Sequence, residues 1–368
     1  MGLKILHLVL FSTNLPEYVD MYRISREYYN NLESNVTTLY YTFKTEKDNA
    51  NWGKDILFFN GNDTFIPGIL EKTILAMKFC LETSTFDFLV RSNISSIVDF
   101  DKLLPALEQQ PQQQQQQQQQ HYYYNGIDNN FNLQWLDFAS GIVDTTHYGL
   151  CFVGGTCIIL NRYAVECIVR DRAKLDYSII DDIALGIYAK EHQSQSQPQP
   201  QLNNQFAGKK LEIMDDNNTA ACNLFTFGNS VTLYRIKSHN RKIDVNKMRS
   251  VVSFLLFRRR ILKNISSIRY GLASAADQSV DVLDACVARM LTDHSSPNYL
   301  YVPADDVIRP QYFGGIDPFY GIVKSLFISR HLPQMQKKHK SNQNEQQQQQ
   351  QQQLLIIDAN TPVFLVLK

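Results

Sequence analysis

Two adjacent aspartates, Asp181 and Asp182, open a helical run continued by Ala184, Leu185 and Ile187. The first turn of a helix suits carboxylates because the helix dipole is positive there. A carboxylate stabilised in this way stays ionised at neutral pH, as a general base must. Upstream, Gly154 and Gly155 interrupt the apolar run from Phe152 to Leu160, where missing side chains let a backbone approach a ligand closely. The cations that could meet an anionic ligand are Lys72, Arg91 and the basic loop of Arg235, Lys237, Arg241 and Lys242 that contains His239. Each feature also has a plain structural reading: an N-terminal acidic pair, a solvated lysine, an end-of-strand arginine, a solvated loop histidine. The six cysteines (Cys80, Cys151, Cys157, Cys167, Cys222, Cys286) form no CxxC pair and show no metal-ligand spacing.

Positioning these residues takes alternating strands and helices. Lys4 to Phe11 reads as a buried strand, followed by a helix with Tyr18, Met21, Tyr22, Tyr28, Tyr29 and Leu32 near the 3.6 period. Val36 to Phe43, Asp55 to Phe59 and Phe86 to Asn93 read as further strands. Between the last two, Pro67 starts a helix with Leu70, Ile74, Met77 and Leu81 on one face. Phe152 to Leu160 is too apolar for a surface strand, and Asn161 caps a helix that buries Val165, Ile168 and Val169. Asp99 suits the N-cap of the helix after Phe86 to Asn93. Lys210 to Met214 and Val231 to Ile236 read as short strands before a helix capped by Asp244, which ends in Arg258, Arg259 and Arg260. This order predicts an α/β fold with an open mixed sheet flanked by helices. In such sheets ligands bind at the carboxyl ends of the strands, here near Phe11 to Thr13. That stretch carries no glycine-rich fingerprint, which argues against a dinucleotide-binding domain.

The order of a glycine-rich strand, "LNRYAV" and "IIDDIALG" resembles the beta-1,3-galactosyltransferase and fringe type of GT-A glycosyltransferase, whose members carry "SGGGYVLSRDAV" followed by "EDVYVG". Asp181 stands at the family's Glu, Asp182 at its Asp and Gly186 at its glycine. The resemblance implies Asp182 as the base that deprotonates an acceptor hydroxyl, with inversion at the sugar. It implies Gly154 and Gly155 on the acceptor side; the aromatic Trp135 suits the same side, with a core tryptophan as the plain reading. Leu70, Lys72 and Thr73 fall on the family's "LKT", which brings Lys72 and the preceding Asp63 toward the donor. Arg91 stands at the lysine of "YLLKTDDDVFVN", and Asn93, Ile94 and Ser95 replace its aspartates. Those aspartates hold a divalent cation, Mn2+ or Mg2+, against the donor diphosphate, and hard cations prefer anionic oxygen ligands. By the same analogy His239 reaches the cation or the diphosphate. The resemblance covers roughly Lys4 to Leu256 with the insertions set aside.

Glutamine-rich insertions at about 108–132, 193–205 and 340–353 cannot bury enough apolar surface to order a backbone. From residue 263 to the end the chain resembles a small β-rich accessory module with "YG…DVT" and "FGDPxxGxxKxLxI", matched by Tyr270, Gly271, Asp281, Val282, Phe313, Gly314, Asp317, Pro318, Gly321, Lys324 and Leu326. Two domains are therefore expected, 1–262 and 263–368. Lys and Arg together number 36, as do Asp and Glu, so bulk charge gives no reason to expect nucleic acid. The apolar start MGLKILHLVLFS is too short for a membrane span, and the cysteines read as free thiols, so a cytoplasmic chain with no transmembrane segment is expected. The sequence thus predicts a glycosyltransferase that takes a nucleotide-sugar donor and a hydroxyl acceptor. Two alternatives stand beside it: an inactive carbohydrate- or nucleotide-binding protein on the same fold, and an interaction protein working through its C-terminal module.

Overall fold

The computed structural model describes residues 2–44, 52–108, 123–126, 129–130, 135–136, 143–144, 152–196, 209–213, 231–238, 240–263, 265–272, 278–292, 299–302, 308–313, 315, 318, 324–331, 352–357 and 363–366. His239 and most of the three glutamine-rich insertions lie outside them. The chain divides into two compact units, residues 1–214 with 231–252, and residues 215–230 with 253–368.

In the first unit the strands and helices follow in the order β1 (Ile5–Leu10), α1 (Pro16–Tyr29), β2 (Val36–Phe43), β3 (Ile56–Phe59), α2 (Gly68–Thr83), β4 (Phe88–Asn93), β5 (Ser96–Val98) and α3 (Phe100–Glu108). They continue with β6 (Tyr124–Gly126), β7 (Asn129–Asn130), β8 (Trp135–Leu136), β9 (Val143–Asp144), β10 (Phe152–Val153), β11 (Cys157–Asn161), α4 (Arg162–Arg170) and α5 (Asp181–Ser196). Two more strands, β12 (Lys209–Ile213) and β13 (Val231–Ile236), precede α6 (Arg241–Leu262), whose residues are divided between the two units.

The main sheet has the order β3-β2-β1-β4-β11-β6. Its first four strands run parallel, and β11 and β6 add an antiparallel edge. This is the mixed, helix-flanked α/β sheet expected from the alternating elements. Sequence periodicity explains the flanking helices: α1 buries Met21, Tyr22, Ile24, Tyr28 and Tyr29, while α2 buries Leu70, Ile74, Met77 and Cys80. Asn161 caps α4 as its sequence position suggests, its side chain accepting the Ala164 N–H at 2.9 Å. Asp99 directly precedes α3, and its carbonyl accepts the Leu103 N–H at 2.9 Å.

Two expectations are corrected. Phe152 to Leu160 is not one strand: β10 ends at Val153, the chain turns through Gly154 to Thr156, and β11 begins at Cys157. The turn is closed by a Cys157 N–H to Gly154 carbonyl bond of 3.3 Å. Nor does Asp244 cap α6. Asn240 stands before the helix and accepts the Lys242 N–H at 3.0 Å, while Asp244, one turn in, reaches back to the Ser238 N–H at 2.9 Å and pairs with Arg241 at 2.9 Å.

A smaller sheet, β12-β13-β5, shares a corner with the main one. After β4 only Ile94 and Ser95 intervene before β5, and both segments stay hydrogen-bonded through the bend. Ile94 N–H donates to Leu10 O, and Ile236 N–H to Ser95 O, each at 2.9 Å.

The second unit holds β14 (Ile265–Gly271), β15 (Ser279–Asp281), α7 (Leu283–Thr292), β16 (Tyr299–Val302), α8 (Ile308–Tyr312), β17 (Ser325–His331), β18 (Gln352–Ile357) and β19 (Val363–Val366). It is built on an antiparallel sheet β15-β14-β17-β18 with a separate β16–β19 pair. Three residues of the C-terminal pattern explain one another here. Tyr270 and Phe313 are fully buried with ring centroids 5.1 Å apart, and the Lys324 ammonium lies 5.7 Å over the Tyr270 ring. Among the described residues no helix is long and apolar enough to cross a membrane. Cys80, Cys157, Cys167 and Cys286 are buried and outside any disulfide.

A polar residue in the middle of β1 makes the main sheet sensitive to acid. His7 is fully buried, with Nε2 2.8 Å from Ser92 Oγ and edge-on contacts to Tyr29 and Phe100. Burial pushes the imidazole pKa down from 6.5 to about 3, so the ring is neutral in the folded protein. Between those values the unfolded chain binds a proton that the native state refuses, so stability is lost as pH falls below 6.5. At pH 5 the loss from this group is about 2 kcal/mol. Urea unfolding at pH 7 and pH 5 checks it, and His7→Gln is expected to abolish this part of the pH dependence.

Candidate active site

The site begins with one strand register. Leu10 of β1 lies opposite Asn93 of β4, and Cys157 of antiparallel β11 lies opposite Ser92. The carboxyl ends of β1 and β4 and the start of β11 therefore meet at one edge, the edge at which open α/β sheets bind ligands.

Arg91, one turn of the pleat below that edge, is 1% exposed. Its Nη2 pairs with Asp181 Oδ2 at 2.5 Å, its Nη1 donates to the Gly155 carbonyl, and its Nε donates to the Tyr41 hydroxyl at 3.3 Å. The Tyr41 hydroxyl is held in turn by Thr73 Oγ1 at 2.9 Å. Burial acts against the guanidinium charge, but Asp181 and Tyr41 outweigh it and hold the pKa above its ordinary value. Arg91 thus ties α5, the Gly154–Thr156 turn and β2 to β4.

Gly155 owes its identity to this contact. A Cβ there would lie 2.5 Å from Arg91 Nη1 and 3.6 Å from Asp182 Oδ2. The close approach expected at the glycine pair is made from inside the fold, by the guanidinium. Gly154 is buried and supplies the carbonyl that closes the turn.

Asp182 takes a different position from its neighbour. Asp181 is buried on the guanidinium, whereas Asp182 keeps partial exposure and accepts the Gly155 N–H at 3.0 Å and the Ile183 N–H at 3.0 Å. Burial and the adjacent Asp181 charge push its carboxyl up to about 6, against the pull of the Gly155 N–H, Arg91 and the Ile183 N–H. Two adjacent carboxylates therefore have separate tasks: one neutralises a buried cation, and the other is poised close to neutrality, where a general base works best.

Lys72 and Asp63 form a second buried assembly at the same edge. Lys72 Nζ pairs with Asp63 Oδ1 and donates to the Phe11 carbonyl at 3.3 Å. Asp63 Oδ2 accepts Ser12 Oγ at 2.6 Å and Asn14 Nδ2 at 3.0 Å. Burial pulls the ammonium pKa down against the opposing effect of Asp63. The stretch from Phe11 to Asn14 is thereby fixed to α2. Lys72 is not the solvated lysine of an amphipathic helix, and its first partner is Asp63.

At the β4–β5 corner Asn93 Oδ1 is a buried acceptor without a hydrogen-bond donor. Ile94 and Ser95 are buried, and Arg235 of β13 donates from Nη1 to Ser95 Oγ at 2.5 Å and to Ser96 Oγ at 3.2 Å. A divalent cation does not fit this donor set. It offers one amide oxygen, one apolar side chain and a hydroxyl already held by a guanidinium, with no carboxylate. Among the described residues no cluster of three His, Cys, Asp or Glu could hold a metal ion.

Of the residues singled out in the sequence, Arg91, Gly155, Asp181 and Asp182 come together, as do Lys72 and Asp63, while Asn93 and Ser95 mark the corner. Trp135 enters as a backbone position in β8, opposite Asp144, and His239 lies outside the described residues. Sequence reasoning missed Ser12, Asn14 and Tyr41, whose polar groups complete the two assemblies. It placed Arg235 only within a basic loop; a single charge inside the apolar strand VTLYRI was the signal available.

Two substitutions probe the Arg91 assembly. Asp181→Asn leaves a buried guanidinium without its counter-ion and is expected to destabilise the protein by about 3 kcal/mol. Gly155→Ala forces the guanidinium aside and is expected to cost about 1–3 kcal/mol. Urea unfolding of both variants checks these losses, and near-neutral effects would show that the buried pair is dispensable. Neither protein-family models nor curated proteins give any match to this chain.

Proposed function

We propose that this protein is a glycosyltransferase that moves a sugar from a nucleotide-sugar donor to a hydroxyl acceptor with inversion, using Asp182 as the general base. The observation that carries the reading is the division of labour between the two aspartates. Arg91 absorbs the charge of Asp181, and Asp182 remains partly exposed beside the carboxyl edge of the sheet with a carboxyl pushed up to about 6. At pH 7 such a group is mostly ionised, yet basic enough to accept a hydroxyl proton as the acceptor oxygen attacks the anomeric carbon. The proton passes to Asp182, the new glycosidic bond forms, and the bond to the nucleoside diphosphate breaks with its electron pair leaving on the phosphate oxygen. The pattern "LNRYAV…IIDDIALG" and the order of elements support the same assignment.

One observation favours a second reading, a binding protein without catalysis. Lys72 and Arg91, the cations nearest the edge in sequence terms, are each taken up by a carboxylate. A screen of nucleotide-sugars separates the two, with thermal shift reporting binding and release of nucleoside diphosphate reporting turnover. Asp182→Asn is expected to lower turnover about 10²–10⁴-fold while the thermal shift persists. Wild-type turnover is expected to fall as pH drops through about 6 and Asp182 takes up its proton. A thermal shift with no turnover in the wild type supports the binding protein instead.

A further inference from the structure

We infer that two copies of this chain join through the C-terminal unit, strand β18 of each pairing antiparallel across a two-fold axis. The surface lies in the second unit and is separate from the sugar-transfer reading. The sheet β15-β14-β17-β18 has two edges. An edge strand carries a row of unanswered N–H and C=O groups, which proteins blunt by shortness, charge or proline. β15 is blunted: it spans three residues, Ser279–Asp281, and ends in an aspartate. β18 is not. It runs six residues, Gln352–Ile357, and neither a charged residue nor a proline stands between Glu345 and Asp358. Among the described residues β18 is paired with β17 alone.

The two faces of β18 differ. On one, Leu355 and Ile357 stand beside Ile328 and Leu326 of β17, which are fully buried. On the other, Leu354 and Ile356 are 53% and 57% exposed, although Phe327, the β17 neighbour of Ile356, is buried. The apolar face is thus covered as far as β17 and left open at β18. A strand laid against the outer edge would shield part of both side chains, so their exposure marks the edge as open too.

The strand itself selects the occupant. It offers no charge for a charged partner to read, and a second copy brings an equally uncharged apolar strand. A two-fold axis perpendicular to the sheet at Leu355 sets Leu354 of one copy opposite Ile356 of the other, twice over. Moving the axis one residue either way sets Ile356 opposite Gln352 or Leu354 opposite Asp358, so the apolar face fixes the register. Two four-stranded sheets become one of eight strands, with the four exposed side chains clustered on one face. Both open edges are used up, which closes the assembly at two copies. A six-residue strand spans about 20 Å, so the contact is small and a dissociation constant of about micromolar order is expected.

The test is sedimentation equilibrium of the full chain at about 1–200 μM, on wild type, Leu354→Lys and Ile356→Lys. The wild-type mass is expected to rise with concentration from 42.5 kDa toward twice that value and to stop there. Each lysine is expected to weaken association at least about tenfold and, at an exposed position, to leave the far-UV circular dichroism unchanged. A wild type that stays monomeric throughout overturns the inference. Association that both lysine variants leave unchanged does the same, as does a mass that climbs past two copies. Should the lysine variants not fold, chains carrying Leu354→Cys and Ile356→Cys decide. Mixed and mildly oxidised, they are expected to cross-link above the wild-type background and in higher yield than either variant alone. Equal yields would overturn the register and with it the pairing.

Discussion

Taking a guanidinium out of water costs several kcal/mol unless its charge and its donors are all answered, and Arg91 is answered from three directions. Asp181 supplies the counter-charge, Gly155 a carbonyl and Tyr41 a hydroxyl. Each of those partners belongs to a different part of the chain, so one buried cation sets the relative position of β4, β2, the glycine turn and the start of α5. Removing Asp181 strands the charge. Of the two adjacent aspartates, the first is consumed in neutralising the arginine. The second keeps partial exposure, and burial and the presence of the first raise its proton affinity.

The same logic shapes the rest of the edge. Lys72 is neutralised by Asp63, which also gathers Ser12 and Asn14, so the loop leaving β1 is fastened to α2 by a single carboxylate. At the corner between the two sheets, Arg235 donates to the Ser95 and Ser96 hydroxyls and so ties β13 to the turn after β4. A carboxylate partner turns a buried cation into scaffold.

Much of the scaffold was legible in the sequence because it rests on periodicity. The apolar run of β1, the stripes of α1 and α2 and the Asn161 cap follow from local pattern, and the structure keeps them, with β1 one residue shorter at each end and α1 stopping at Tyr29, short of the Leu32 expected on its face. The pairing of Asp181 with Arg91 was not legible, since it joins residues on β4 and α5 that only tertiary structure brings together. For the same reason Phe152 to Leu160 reads as one strand from composition, although Gly155 must turn there to present its carbonyl to Arg91. Asp244 reads as a cap because its residue type fits, yet Asn240 has the shorter reach to the second helical N–H, and Asp244 serves Ser238 and Arg241 instead. The contact of Arg235 with Ser95 and Ser96 joins a strand far along the chain to the turn after β4 and needed the β13–β5 pairing to be seen.

The account turns on Asp182 being a carboxylate of raised proton affinity, made so by burial and by the neighbour that Arg91 holds in place. Carboxyl-carbon NMR of protein labelled at aspartate, titrated from pH 3 to pH 8, observes this directly. The account predicts one carboxyl step near pH 6 in the wild type, assigned by its loss in Asp182→Asn and moved toward the ordinary aspartate range in Asp181→Asn, where the neighbouring negative charge is gone. A wild-type titration in which no aspartate changes protonation above about pH 5 would contradict it.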